Sequence, residues 1–306
     1  MDDQTTVTAL PSSDTAELAS RTPHPLLAGH AVGYTGQDFQ FSQPLLRRVT
    51  ALATVVVVID FEHPDRHYVT DAAGRTPRTL LSPVTGLTDR PTAILQGGHE
   101  YGLTAVFTPL GARALFGLPL SELANRSVGL TDLLGADGRR LTERLAEAPG
   151  WAARFRLLDD YLLARIGSGP ELPVPVRHAW HQLTALSGNV TIGALADEVG
   201  WSRQHLNARF RQETGLSPKT VARITRLQRA VSLMHAAGPR SWAETAALCG
   251  YTDQPHLNRD FRLLTGHAPG AFHELTGDWS GVVMGDPRLY TVDPGYPRLE
   301  RPDRGA

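Results

Sequence analysis

The chain has 306 residues, 41% of them hydrophobic and 20% charged, with a formal net charge of −1. That length suits two domains of ordinary size, and the composition is that of a globular protein, which excludes a collagenous or wholly disordered chain. The longest apolar run, around Val55–Ile59, is far too short to cross a bilayer as a helix, and the single cysteine, Cys249, excludes both a disulfide framework and a zinc site built from several thiolates.

Residues 1–25 are polar, acidic and rich in Ser and Thr, and they end at Pro23 and Pro25. They are expected to be disordered, and no basic segment followed by an apolar stretch marks a secretory leader. Together these absences predict a cytoplasmic protein without a membrane partner. From 26 to about 118 the pattern is β-like. Thr54–Phe61 is a β-branched run, and Leu80–Gly86, Thr92–Gln96 and Tyr101–Thr108 are further short strand candidates separated by Gly, Pro and Asp. Such spacing predicts a small barrel or sandwich. From about 119 to 166 the period turns helical. Phe155, Leu158, Tyr161, Leu162 and Ile166 recur three and four apart on one face of a helix over 151–166. Residues 167–175, with Gly167, Gly169, Pro170, Pro173 and Pro175, read as a linker. Residues 176–276 are helical throughout, and the Gly- and Pro-rich tail 277–306 is expected to be loosely ordered. The fold class is therefore α+β. A β-rich, barrel- or sandwich-like N-terminal domain (26–166) is followed by helices and then by an all-α domain.

Charge is divided unevenly. Residues 172–276 carry eleven Lys/Arg against seven Asp/Glu, a balance of +4, so the remainder carries −5. A basic module beside an acidic one fits a nucleic-acid partner for the former.

The basic module contains an internal repeat. Gly200 and Gly250 each precede an aromatic (Trp201, Tyr251), and from His205 and His256 onward eight positions are identical: His, Leu, Asn, Phe, Arg, Thr, Gly and Pro. The second copy has one extra residue after its glycine. Each copy reads as helix-turn-helix. A short helix (192–199 or 242–249) stops at a glycine able to take the left-handed conformation, and Ser202 or Thr252/Asp253 caps a second helix. Ser241 and Glu244 fit a capping box. Leu206 and Phe210, or Leu257 and Phe261, lie four apart and face inward. The opposite face carries Gln204, Asn207, Ala208 and Arg211 in the first copy, and Gln254, Asn258, Arg259 and Arg262 in the second. Gln and Asn pair bidentately with adenine, and Arg with guanine, in the major groove. A helix over 221–235, about 22 Å long, joins the units and could set them on successive grooves about 34 Å apart.

Residues 173–276 resemble the AraC/XylS-type DNA-binding domain, most specifically through Ala246, Ala247, Gly250, Tyr251, Leu257, Phe261, Arg262, Gly266, Pro269 and Phe272. The resemblance implies seven helices with two helix-turn-helix units in a transcription regulator. It places base-reading residues at Gln204, Asn207 and Ala208, and at Gln254, Pro255 and Arg259. Ala208 and Pro255 lack side-chain hydrogen-bonding groups, although Ala208 can pack on a thymine methyl. The N-terminal part resembles a sensor-type domain of actinobacterial regulators through Gly33-Tyr34-x-Gly36, Phe107–Gly117, Leu123–Arg126 and Leu130–Gly135. The expected partners are duplex DNA, RNA polymerase, and a small-molecule effector or a second copy of the chain.

Enzymatic chemistry lacks candidates. Cys249 sits on the apolar side of a helix beside the turn glycine and reads as a small buried hydrophobe, not a nucleophile. His63 and His67 are split by Pro64, and His99-Glu100 follows two glycines, so neither pair has the spacing of helical metal ligands. No catalytic residue, metal or cofactor is expected.

Overall fold

The computed structural model describes residues 6–7, 15–69, 77–235, 241–276 and 290–292. The strands are β1 (Thr6–Val7), β2 (Thr15–Arg21), β3 (Ala31–Val49), β4 (Val55–Asp60), β5 (Asp65–Val69), β6 (Pro77–Thr79), β7 (Pro83–Thr85), β8 (Thr92–Phe107), β9 (Ser127–Gly129) and β10 (Tyr290–Val292). Helices α1 (Pro109–Phe116), α2 (Leu130–Leu134), α3 (Ala136–Glu147) and α4 (Gly150–Ile166) complete the N-terminal half. The C-terminal half is all-α: α5 (Val174–Ala185), α6 (Ile192–Glu198), α7 (Arg203–Thr214), α8 (Pro218–His235), α9 (Trp242–Leu248), α10 (Gln254–Thr265) and α11 (Pro269–Thr276). None of the described helices is long and apolar enough to cross a membrane.

All pairings in the sheet are antiparallel, along the path β1-β2-β3-β8-β4-β7-β9, with β10 attached to the other half of β3, β5 to that of β8, and β6 to β5. A register shift between Phe41 and Leu45 divides the β3–β8 ladder, as a bulge does. β4 is buried on both faces. Its odd residues Val55, Val57 and Ile59 join the core shared with the helices, whereas Val56 and Val58 on the opposite face belong to a second core with Val49, Leu52, Leu80 and Ile94. The expected α+β class holds: an antiparallel sheet in the N-terminal half is followed by helices and an all-α C-terminal half.

Beside that second apolar cluster lies a buried polar one. The Arg66 guanidinium donates to Asp60 at 3.0 and 3.2 Å and to Glu100 at 3.1 Å, and Gln96 donates to the other Glu100 oxygen at 3.3 Å. Burial pushes the Asp60 carboxyl above the usual carboxylate range, against the opposing pull of Arg66.

Three expectations need correction. Residues 15–21, expected to be disordered, form β2, because tertiary partners supply what local composition lacks. β2 pairs with β3 over its whole length, buries Leu18 and Ala19, and receives the Trp151 indole N–H on Glu17 at 2.9 Å. Thr92–Gln96 and Tyr101–Thr108 are not separate strands. Gly97 and Gly98 continue the single strand β8, since its neighbours on both edges satisfy the backbone there. α1 falls inside the stretch expected to be β: Thr108 caps it by accepting from the Gly111 N–H, and Gly117 ends it in the left-handed conformation. The segment 167–175 is short and packed, with Leu172 buried. The expectation for the tail lies outside the described residues apart from β10.

The motif Gly33-Tyr34-x-Gly36 is structural here. Trp151 of α4 lies flat on β3 at Gly36, where a Cβ would come within 2.1 Å of the indole ring. The Tyr34 hydroxyl donates to Asp159 of α4 at 3.0 Å. Together these contacts fasten the long helix to the sheet.

Candidate nucleic-acid interface

The two helix-turn-helix units repeat in structure as they do in sequence. α6 and α9 are each seven residues long, and α7 and α10 are each twelve. Gly200 and Gly250 have φ of 69° and 73°, the left-handed geometry that turns the chain between the helices. Ser202 caps α7 by accepting from the His205 N–H at 3.1 Å, and Asp253 caps α10 from the His256 N–H at 2.7 Å. The extra residue of the second copy therefore sits in the turn and leaves the helix register intact. The capping box of Ser241 and Glu244 forms at the start of α9.

Five of the eight identities in the repeat (His, Leu, Phe, Thr and Gly) have a structural task. Leu206, Phe210, Leu257 and Phe261 are fully buried. His205 meets the Trp201 ring edge-on at 4.5 Å, and His256 meets Tyr251 at 5.2 Å, so each recognition helix is locked to its own turn. The Thr214 hydroxyl donates to the Phe210 carbonyl at 2.8 Å, and Thr265 does the same to Phe261 at 2.7 Å. Gly215 and Gly266 follow as left-handed C-caps.

With the inward face committed, the outward face remains for a partner. Gln204, Asn207, Ala208 and Arg211 are exposed on α7. Gln254, Pro255, Arg259 and Arg262 are exposed on α10, with Asn258 half-buried. All nine candidate residues thus lie on the two recognition helices. One further residue escaped the sequence reading. The His-to-His offset puts Arg203, not Gln204, in register with Gln254, and Arg203 is exposed at the first position of α7. Aligning the copies on their histidines instead of their glycines would have found it.

Other arginines of the module are engaged elsewhere. Arg209 bonds Gln212 at 2.7 Å and pairs with Glu213 at 3.5 Å. Arg223 on α8 pairs with buried Asp260 at 2.6 Å, and Arg226 lies over the Tyr251 ring at 5.3 Å. These two tie α8 to the second unit, and burial raises the Tyr251 hydroxyl well above its ordinary pKa. Cys249 is fully buried at the end of α9, with its thiol pushed up to about 11 by burial. A thiol so protonated is a small hydrophobe, not a nucleophile.

Residues 195–274 match the family model of a helix-turn-helix domain. No curated protein matches the chain. Among solved structures, an AraC-type transcriptional regulator from Chromobacterium violaceum is 23% identical over 35% of this chain and 95% of its own, with a TM-score of 0.32. The DNA-binding domain of the global transcriptional factor AdpA, in complex with a target DNA, is 26% identical over 35% of this chain and 98% of its own, with a TM-score of 0.31. ToxT from Vibrio cholerae, with an unsaturated fatty acid bound, is 12% identical over 84% of this chain and 98% of its own, with a TM-score of 0.43. Residues 195–274 of this chain are therefore a helix-turn-helix domain.

Proposed function

We propose that this protein is a DNA-binding transcription regulator in which α7 and α10 enter the major groove of duplex DNA at two half-sites. One observation carries the reading: two identically capped helices each bury one face and present the same positions to solvent, with amide and guanidinium groups there. On α7 these are Arg203, Gln204, Asn207 and Arg211; on α10 they are Gln254, Asn258, Arg259 and Arg262. The N-terminal halves of the two helices are best placed for base edges, and Arg211 and Arg262, in the last turns, for phosphates. At a promoter the further partner is RNA polymerase. Control passes through the N-terminal half, by a small effector or by a second copy of the chain. In favour of an effector is a cleft of about 300 Å3 between the halves, lined by Val32 and Ala53 on one side and Trp180, His181 and Thr225 on the other.

Selection of bound sites from random duplex DNA by the purified chain, followed by titration at two salt concentrations, tests the reading. The expected result is a motif of two short blocks about one helical turn apart, with affinity falling steeply with salt. Failure to bind any duplex, at low salt included, would make the fold an interaction module instead.

A further inference from the structure

The N-terminal half touches both recognition helices, and it does so at equivalent positions of the repeat. At the end of α7, buried Glu213 lies 3.8 Å from the Arg113 guanidinium of α1. Two residues on, a Cβ at Gly215 would come within 2.7 Å of the Ala124 Cβ and 2.9 Å of the Leu120 carbonyl. The matching positions at the end of α10 are Leu264 and Gly266. The Leu264 carbonyl accepts the Ala51 N–H at 2.7 Å, and a Cβ at Gly266 would lie 3.7 Å from Pro91. Ala51 is itself held in the sheet domain. Its neighbour Leu52 exchanges backbone hydrogen bonds with Thr88 at 3.1 and 2.9 Å and accepts no slack there, since its N–H also meets the Thr88 hydroxyl at 3.0 Å. The N-terminal half therefore holds the C-terminal ends of both helices, by contacts that lie outside the cleft described above.

We infer that the N-terminal domain is a brace that fixes the separation and mutual orientation of α7 and α10, so that the protein selects operators by the spacing between their half-sites. The inference rests on the DNA-reading function proposed above. The grips lie at the helix ends remote from Arg203, Gln204, Gln254 and Pro255, so bracing leaves the reading residues uncovered. Inserting one base pair displaces a half-site by about 3.4 Å along the axis and rotates it by about 35°. A braced pair of helices cannot follow that movement, whereas a pair joined only through α8 has the freedom to adjust.

The test uses the full chain and two variants. Ala124→Arg drives a long side chain against Gly215. Arg113→Ala removes one ion-pair partner of Glu213 at 3.8 Å and leaves it the other, Arg209, at 3.5 Å. Affinity is measured for the selected operator and for derivatives with one or two base pairs added between the blocks. The native chain is expected to lose about 100-fold or more on insertion, since engagement of the second half-site is forfeited. The folded variants are expected to keep most of their affinity for the original operator and to lose much less than the native chain on insertion. If thermal melting shows Ala124→Arg to be unfolded, Arg113→Ala decides. Identical spacing profiles for the native chain and a folded variant overturn the brace, as does a native chain indifferent to spacing. A native chain that binds none of the duplexes overturns the DNA-reading proposal instead.

Discussion

Arg259 and Ala208 occupy the same position of the repeat, and under the proposed DNA-reading function the difference between them predicts unequal roles for the two units. Arg259 is exposed on α10 and can donate two hydrogen bonds to a guanine, whereas Ala208 offers only a methyl contact. Arg259→Ala is therefore expected to weaken specific binding by about 1–3 kcal/mol and to relax preference at one base position. Equal loss on every sequence would make Arg259 a phosphate contact. The neighbouring pair shows the limit of reading side chains from a repeat. Arg209 and Asp260 are equivalent in sequence but opposite in charge, and each has found its own partner, Glu213 and Arg223 respectively. The Arg209–Glu213 pair is a contact four residues apart within α7, whereas the partner of Asp260 is brought near by α8, which spacing along one helix does not encode. Arg203 was missed for a simpler reason: the copies differ in turn length, so alignment from the glycines slips by one residue.

At the scale of elements, helices were far more legible than strands. The periods of α4, α7 and α10 are local, and their caps (Ser202, Ser241, Asp253) are read within four residues. β3 was overlooked because Gly33, Gly36 and Pro44 break its alternation, yet it is the longest strand described. Its residues are specified by contacts across the sheet, among them the Trp151 ring on Gly36. One such contact is open to titration. His99 on β8 bonds Asp38 on β3 at 2.8 Å and Glu62, just beyond β4, at 2.9 Å. The hydrogen bond to Asp38, and then that to Glu62, raises the His99 pKa above its ordinary 6.5. The charged clasp is therefore fully formed below about pH 6.5 and is lost as pH rises through the higher folded value. Its groups are more than a third exposed, so it is worth less than about 1 kcal/mol. The melting temperature of the native chain minus that of His99→Gln should shrink between slightly acid and alkaline pH. A difference that does not change with pH would remove the clasp from the account.

For the whole molecule, the consequential feature is that one hydrophobic core runs from Ala19 in the sheet domain to Phe272 in α11. The two halves should therefore unfold together. Calorimetry is expected to show a single transition, and Phe261→Ala, which empties a fully buried site at a cost of about 3–5 kcal/mol, should lower all of it. For a chain of this size the shift would be on the order of 10 °C. Two transitions, of which only one moves, would mean that the halves are independent and that the contacts at Glu213 and Leu264 are incidental.

The division between sequence and structure follows from the range of the forces involved. By itself the sequence determined the α+β class, the tandem helix-turn-helix units, their caps, their buried Leu-Phe pairs and the face left outward. All of these arise from interactions within a few residues, and the repeat states them twice. Only the tertiary structure decided that residues 15–21 form a strand, that the two faces of β4 enter separate cores, that Arg66 is buried between Asp60 and Glu100, and that both recognition helices end against the sheet domain. Most of those contacts join residues tens to hundreds of positions apart, where pairing is set by what the folded chain brings together and leaves no period along the sequence.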